Sequence, residues 1–319
     1  MMFGIDPMIV SFGLGVGILI GLTGIGGGSL MTPLLIIVLG VQPVVAIGTD
    51  LAYTAITKTL GGWRHIRKGT VDLGVVRRLA GGGVPGAVIG VLLLDYLHSN
   101  YGKSFDKDIL AFLAAALMLV ATVVLVRAVL LPRLSLRERH SYTFHTRSHV
   151  ASIALGLVLG LILGVTSVGG GALVGAALLI VYRLTPQRVV GTDIFVAALV
   201  AWAAGLTQMF SGHVDFALMG TILIGSIPGV WIGTRMMDFV PAHALRVTLG
   251  AVLLGSALAV VKKAGVNMPV EVIFAGPVVV GLLSWGAFRA GLRAPVVAPE
   301  ITSAAAVVVG ALVPAGDEA

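Results

Sequence analysis

The chain has 319 residues, 57% hydrophobic and 11% charged, with a formal net charge of +7 and no cysteine. A soluble domain carries about 25% charged residues, so this composition excludes a soluble globular protein and indicates one that crosses a membrane repeatedly. Without cysteine there is no disulfide framework and no thiolate metal or redox centre, and the basic surplus sits in loops and helix ends, where topology and anionic lipid explain it and nucleic acid does not.

Residues 1–7 lack a basic n-region, and no small-residue cleavage site follows the first apolar run, so the first segment is expected to stay in the fold. Residues 8–40 are apolar almost throughout. As one straight helix they would be about 50 Å long, against a hydrocarbon core of about 30 Å. Glycine is a poor helix former, so the cluster GLTGIGGGSL, Gly21 to Leu30, is the expected break. Each piece is then about 19–24 Å long and too short to cross alone. Two half-helices meeting within the membrane are expected, either re-entrant or two-pass, with the irregular backbone covered by protein or lining a cavity.

Pro43 opens a second helix over about 44–62, followed by a basic loop with Arg64, Arg67, Lys68, Arg77 and Arg78. A third helix is expected over about 73–96, kinked at Gly81-Gly82-Gly83-Val84-Pro85-Gly86. A polar loop at 97–107, a fourth helix at about 108–131 and the basic stretch 133–149 follow. The second half repeats the plan, with a broken segment at about 151–182 and helices at about 187–210, 217–239 and 242–261. An unmatched helix is expected at about 270–288, and 301–313 is a short alanine-rich apolar run. The chain thus divides into a first transmembrane repeat (1–131), a basic cytoplasmic linker (132–149), a second repeat (150–261) and an extra helix with a C-terminal tail (262–319).

The halves align without a gap. GVTSVGGGAL, Gly164 to Leu173, repeats the first glycine cluster at an offset of 143 residues. The same offset carries Pro43 to Pro186, Gly48-Thr49-Asp50 to Gly191-Thr192-Asp193, Asp72 to Asp215 and Pro85-Gly86 to Pro228-Gly229. Between Gly13 and Asp95 roughly a third of positions match their partner, the internal symmetry that transporter repeats carry. The basic stretches 64–78 and 133–147 are expected in the cytoplasm, whereas 211–215, the counterpart of the first loop, has no Lys or Arg and is expected on the other side. Lys262 and Lys263 then fall on the outer side as well, which counts mildly against inversion. The expected fold class is an all-α polytopic membrane protein. It has two inverted repeats, broken glycine-rich helices meeting near the midplane and one extra C-terminal helix.

A half-helix beginning at Gly28 or Gly171 aims backbone N–H groups and the positive end of its dipole at the midplane, a ready anion site. The candidate substrate-binding residues are Thr23, Gly24, Gly26, Gly27, Gly28 and Ser29 from the first copy, with Thr166, Ser167, Gly169, Gly170 and Gly171 from the second. Close helix packing is the alternative role for these glycines. Thr49, Asp50, Thr192 and Asp193 are coupling candidates, because intramembrane carboxylates are costly and a proton on one can be linked to substrate movement. The alternative is that they satisfy loosened backbone near the half-helix tips. Lys58 reads as snorkelling to the cytoplasmic interface, with attraction of an anion within a cavity as the alternative, and His65 reads as a solvated loop residue. Asp72 and Asp215 read as N-caps, while Trp63, Trp285, Arg235 and Asp238 read as interfacial anchors. The sequence offers no metal-ligand spacing, no cofactor or nucleotide-binding motif and no nucleophile elbow, so an enzyme reading has little to rest on.

GLTGIGGGSLMTPLL and its second copy GVTSVGGGALVGAAL resemble the TauE/SafE family of sulfite and organosulfonate exporters, and the two Gly-Thr-Asp elements fit it as well. The resemblance covers Gly13 to Phe239 and implies a bacterial inner-membrane carrier for small anions, often of sulfur compounds. Members often have Gly-Thr-Ser where this chain has Gly-Thr-Asp twice, and two extra carboxylates bear on charge selectivity and coupling. Ala176 stands where a second Pro33 would, which makes the half-sites inequivalent. The expected function is a secondary transporter in the lipid bilayer, monomeric or oligomeric. It rocks its two repeats around a central site, driven by a proton or by the anion's own gradient. A passive anion channel and a membrane-embedded enzyme or assembly factor are the alternatives.

Overall fold

The computed structural model describes residues 6–23, 27–102, 105–130, 146–236, 242–267 and 269–293. Among them are eleven helices and no strand. The first half holds α1 (Pro7–Thr23), α2 (Gly28–Ile37), α3 (Pro43–Arg67), α4 (Leu73–Tyr101) and α5 (Asp106–Leu130). The second holds α6 (Thr146–Thr166), α7 (Ala172–Ile180), α8 (Pro186–Phe210), α9 (Phe216–Met236) and α10 (Ala242–Lys263), and α11 (Val270–Arg293) follows. Five described segments are long and apolar enough to cross a membrane: Leu73–Tyr101, Asp106–Val126, His149–Thr166, Gln187–Phe210 and Phe216–Met236. This is a multi-pass, all-helical membrane protein.

Both broken segments divide at their glycine clusters, α1 from α2 and α6 from α7. Elsewhere the boundaries move. α3 continues to Arg67 and α4 already contains Arg77 and Arg78, so the basic loop shrinks to 68–72. α4 runs through its glycine run and Pro85 to Tyr101. α6 starts at Thr146, inside the stretch read as linker. The remaining linker residues 132–145, Asp238, the side chain of Trp285 and the run 301–313 lie outside the described residues.

Glycine ladders hold the halves together. Gly82, Gly86 and Gly90 of α4 face Gly156, Gly160 and Gly164 of α6, and a Cβ at any of them would overlap the partner's backbone. Gly13, Gly17 and Gly21 of α1 meet Gly225, Gly229 and Gly233 of α9 in the same way, at positions related by the 143-residue offset. In both pairs the contacts advance together along the two chains, so the helices run parallel. Lipid supplies little hydrophobic drive for helix association, and close backbone approach through small residues takes its place. Gly160→Leu is therefore expected to lower the thermal midpoint in detergent, at a cost of about 1–3 kcal/mol or more. An unchanged midpoint would remove this ladder from the stability account.

At the centre α3 and α8 run antiparallel. Gly48 abuts the His213 carbonyl, Gly205 abuts Ala52, and Gly61 abuts Ile194. The Trp202 indole donates to Thr59 Oγ1 at 2.7 Å. α5 packs on α10, and α11 packs against α10, where Gly255 meets Pro277.

Candidate functional site

The site forms where the two chain breaks meet. α2 begins beside Gly27 and α7 beside Gly171, and neither start has a side-chain cap. The α6–α7 connection is tight. Ser167 holds a left-handed φ of 58° and Gly169 a φ of 108°, conformations that most L-residues avoid. Gly28 packs directly on the Ser167 carbonyl, which brings the start of α2 against the break in the other half. Gly28, Ser29, Leu51, Thr54, Lys58, Leu163, Ser167, Gly170 and Gly171 line a narrow cavity there. It has room for about one water molecule.

Asp50 anchors this junction from α3. It is fully buried, and hydroxyls from three elements converge on it. Thr32 of α2 donates to Oδ2 at 2.5 Å, Ser167 donates to the same oxygen at 2.9 Å, and Thr54 donates to Oδ1 at 3.2 Å. The aligned positions in the other half carry no hydroxyl: Gly175 for Thr32, Gly24 for Ser167 and Ala197 for Thr54. The repeated framework therefore holds a chemically one-sided site.

Lys58 departs from its expected role. It is buried, and its ammonium donates to the Gly170 carbonyl at 2.8 Å. Snorkelling fails because α3 extends to Arg67, nine residues further. That is about 13 Å of helix, beyond the reach of a lysine stem. Asp193 on α8 is also buried and within electrostatic reach of Lys58.

The threonines of the two Gly-Thr-Asp elements tie the halves together. Thr49 Oγ1 accepts from the Asp215 backbone N–H at 3.0 Å, and Thr192 Oγ1 accepts from that of Asp72 at 2.9 Å. Gly48 and Gly191 allow this approach by packing against His213 and Thr70. Asp72 and Asp215 cap α4 and α9 as expected, accepting from Val75 at 3.1 Å and Leu218 at 2.9 Å. Thr166 serves the chain break, with its hydroxyl donating to the Ile162 carbonyl at 2.6 Å and accepting from the Val168 N–H at 3.2 Å. Gly27 sits against the Tyr53 ring and Gly169 against Leu173. Thr23 closes α1, while Gly24 and Gly26 lie outside the described residues.

Reasoning from the sequence missed Thr32 and Thr54 and misplaced Lys58. A signal existed, because Asp50, Thr54 and Lys58 recur every four residues and share one helix face. His65 is half-buried and shares a 2.9 Å hydrogen bond with Thr70 Oγ1, so it is not simply solvated. Trp63 is exposed and stacked by Arg67, and Arg235 stacks on Trp231, as interfacial residues do. Lys263 donates to the Ile36 carbonyl at 2.5 Å and so steadies the C-terminal end of α2. Where α4 ends, His213 lies 3.7 Å from Asp95, and His98 lies 3.7 Å from Asp106. Burial holds the His213 imidazole below the usual histidine range, with Asp95 pulling it up and His98 pushing it down.

Comparison with known proteins places this architecture. The family model described as sulfite exporter TauE/SafE matches residues 9–260. A probable membrane transporter protein of Bacillus subtilis, YjnA, is 37% identical over 250 residues, covering 78% of this chain and 97% of the relative. A second from the same organism, YdhB, is 25% identical over 231 residues, covering 72% and 89%. A probable membrane transporter protein of Xylella fastidiosa is 26% identical over 270 residues, covering 83% and 98%. No solved structure matches the chain.

Proposed function

The chain belongs to the sulfite exporter TauE/SafE family, and from that premise we propose that it is a secondary transporter moving a small anion, sulfite or an organosulfonate, across the bacterial inner membrane by alternating access. The observation that carries this reading is the junction of two half-helix starts, one from each half, around a single buried cavity. Uncapped helix starts offer backbone N–H groups and a positive dipole end to an anion, and Lys58 adds a full positive charge. The Ser29 hydroxyl, which also lines the cavity, adds one more donor suited to a sulfur oxyanion.

The antiparallel crossing of the aligned helices α3 and α8 supports inverted repeats, because a two-fold axis lying in the membrane plane reverses equivalent helices. Thr49 and Thr192 would hold the repeats together at opposite faces while the parallel glycine-ladder pairs move as units. The cycle runs on a proton or on the anion's own gradient, and it uses no resident cofactor.

Because the chain has no native cysteine, Ser167→Cys can be labelled selectively with a membrane-impermeant thiol reagent in oriented vesicles. The proposal expects labelling that sulfite or a sulfonate slows. Labelling that no anion alters would remove this junction as the substrate site.

A further inference from the structure

A second group of polar side chains lies away from the junction, where the last turns of α4 meet the α8–α9 turn and the start of α5. α4 leaves the basic turn at 68–72 and is 29 residues long, so its far end lies about 43 Å away, at the opposite face of the membrane. Three contacts join the two halves there. Ser211 donates to Asp95 Oδ2 at 3.2 Å, His213 Nδ1 lies 3.7 Å from Asp95 Oδ1, and the His98 and His213 rings meet edge-on with centroids 6.0 Å apart. Asp106, at the start of α5, stands 3.7 Å from His98. Gln208 is buried and shares a 3.2 Å hydrogen bond with His213 Nδ1, while its Nε2 has no partner among the described residues. The turn is pinned to α3, because Gly48 packs on the His213 carbonyl and Thr49 accepts from the Asp215 N–H. α4 belongs instead with α6, through their glycine ladder. The contacts of Asp95 and His98 with the turn therefore cross a boundary that must open when the α4–α6 pair moves as a unit.

We propose that these contacts form a gate at this face, shut while His213 is neutral and released when His213 takes up a proton. The gating role rests on the carrier reading above. Burial outweighs the attraction of Asp95 and holds the His213 imidazole below the usual histidine range, and the neighbouring His98 ring disfavours a proton there as well. The other groups facing His213 do not offset this. Gln208 on α8 and Gly48 and Thr49 on α3 are neutral, Asp215 caps α9, and Asp106 is reached only through His98. Once the gate parts, water reaches His213 and its ordinary proton affinity returns. The shut form thus binds fewer protons than the open one. It is favoured above the usual histidine pKa of about 6.5 and loses ground as pH falls below that value. Opening also lets water meet the unpaired Gln208 amide, which the shut form leaves unsatisfied. The 143-residue offset carries Ser211 to Lys68 and His213 to Thr70, so the aligned turn at the other face has no imidazole at this position.

Spin labels on either side of the gate test it without any substrate. The chain has no native cysteine, and Tyr96 on α4 and Phe210 at the end of α8 are exposed beside Asp95 and Ser211, so Tyr96→Cys/Phe210→Cys can be labelled in the full chain in lipid. Dipolar electron spin resonance should show mainly a short separation at about pH 8, with a longer one rising several-fold at about pH 5.5. His213→Asn keeps an N–H for Gln208 but does not titrate, and with it the short separation should persist at both pH values. An unchanged distribution across pH, or a shift that survives His213→Asn, would overturn the proposal. A second measurement does not depend on that variant folding. A short reducible cross-link in Asp95→Cys/Ser211→Cys should stop anion exchange in liposomes, and reductant should restore it. Exchange that continues through the cross-link would overturn the gate. A pH-driven separation that His213→Asn removes, in a protein that exchanges no anion even without a cross-link, would support the proton-released contact and refute the carrier reading instead.

Discussion

Gly170→Leu will abolish anion transport while the protein still inserts and purifies. Three groups surround this glycine. A Cβ would lie 2.7 Å from Leu163 Cδ1, 3.5 Å from Ala197 Cβ and 3.7 Å from the Lys58 ammonium. The first contact can relax by rotating a side chain, so a small residue is tolerable and insertion is not at stake. The rest of a leucine side chain has nowhere to go except the cavity, which has room for about one water. It would also push Lys58 off the Gly170 carbonyl. A displacement of this size costs about 100-fold or more in rate. Gly170→Ala should retain measurable activity. Gly27→Leu should fail for a related reason, since it meets the Tyr53 ring at 2.9 Å. Transport by matched amounts of each variant in liposomes decides the matter, and a normal rate for either leucine variant removes that glycine from the site.

Asp50→Ala is expected to lower transport by about two orders of magnitude and to reduce thermal stability as well. The carboxylate is the acceptor that unites α2, α3 and the α6–α7 break through Thr32, Thr54 and Ser167. Removing it leaves three buried hydroxyls without that acceptor, at a cost of about 1–3 kcal/mol for each one left unsatisfied. It also removes the tie between the two half-helix junctions. Asp50→Asn separates the two effects, because an amide preserves the shape and one acceptor oxygen while losing the charge. Its stability should lie close to wild type, and the pH dependence of its transport should flatten. A wild-type pH profile in Asp50→Asn would leave Asp50 a structural role only.

The break in each long segment was legible because glycine clusters interrupt helices in any context, and the duplication exposed both breaks at once. The N-caps Asp72 and Asp215 were legible for the same local reason. The position of Lys58 was not. Its reading depended on where α3 ends, and a helix end set by packing rather than by a proline or glycine stop leaves little trace in composition. The convergence of Thr32 and Ser167 on Asp50 was hidden for another reason, because it depends on two chain breaks 143 residues apart touching in space. The one-sidedness of the site was present in the alignment all along, in Gly175, Gly24 and Ala197. It acquired meaning once the hydroxyls at the matching positions were seen to face a common carboxylate.

Counterflow in liposomes tests the central claim most directly. Purified protein is loaded with unlabelled sulfite, sulfate or a small sulfonate, and uptake of the labelled anion is followed with and without an imposed pH gradient. The account predicts saturable exchange of at least one of these anions, faster with a pH gradient and absent in Gly170→Leu. Folded protein that exchanges none of them, or that passes them as an unsaturable current, would contradict it.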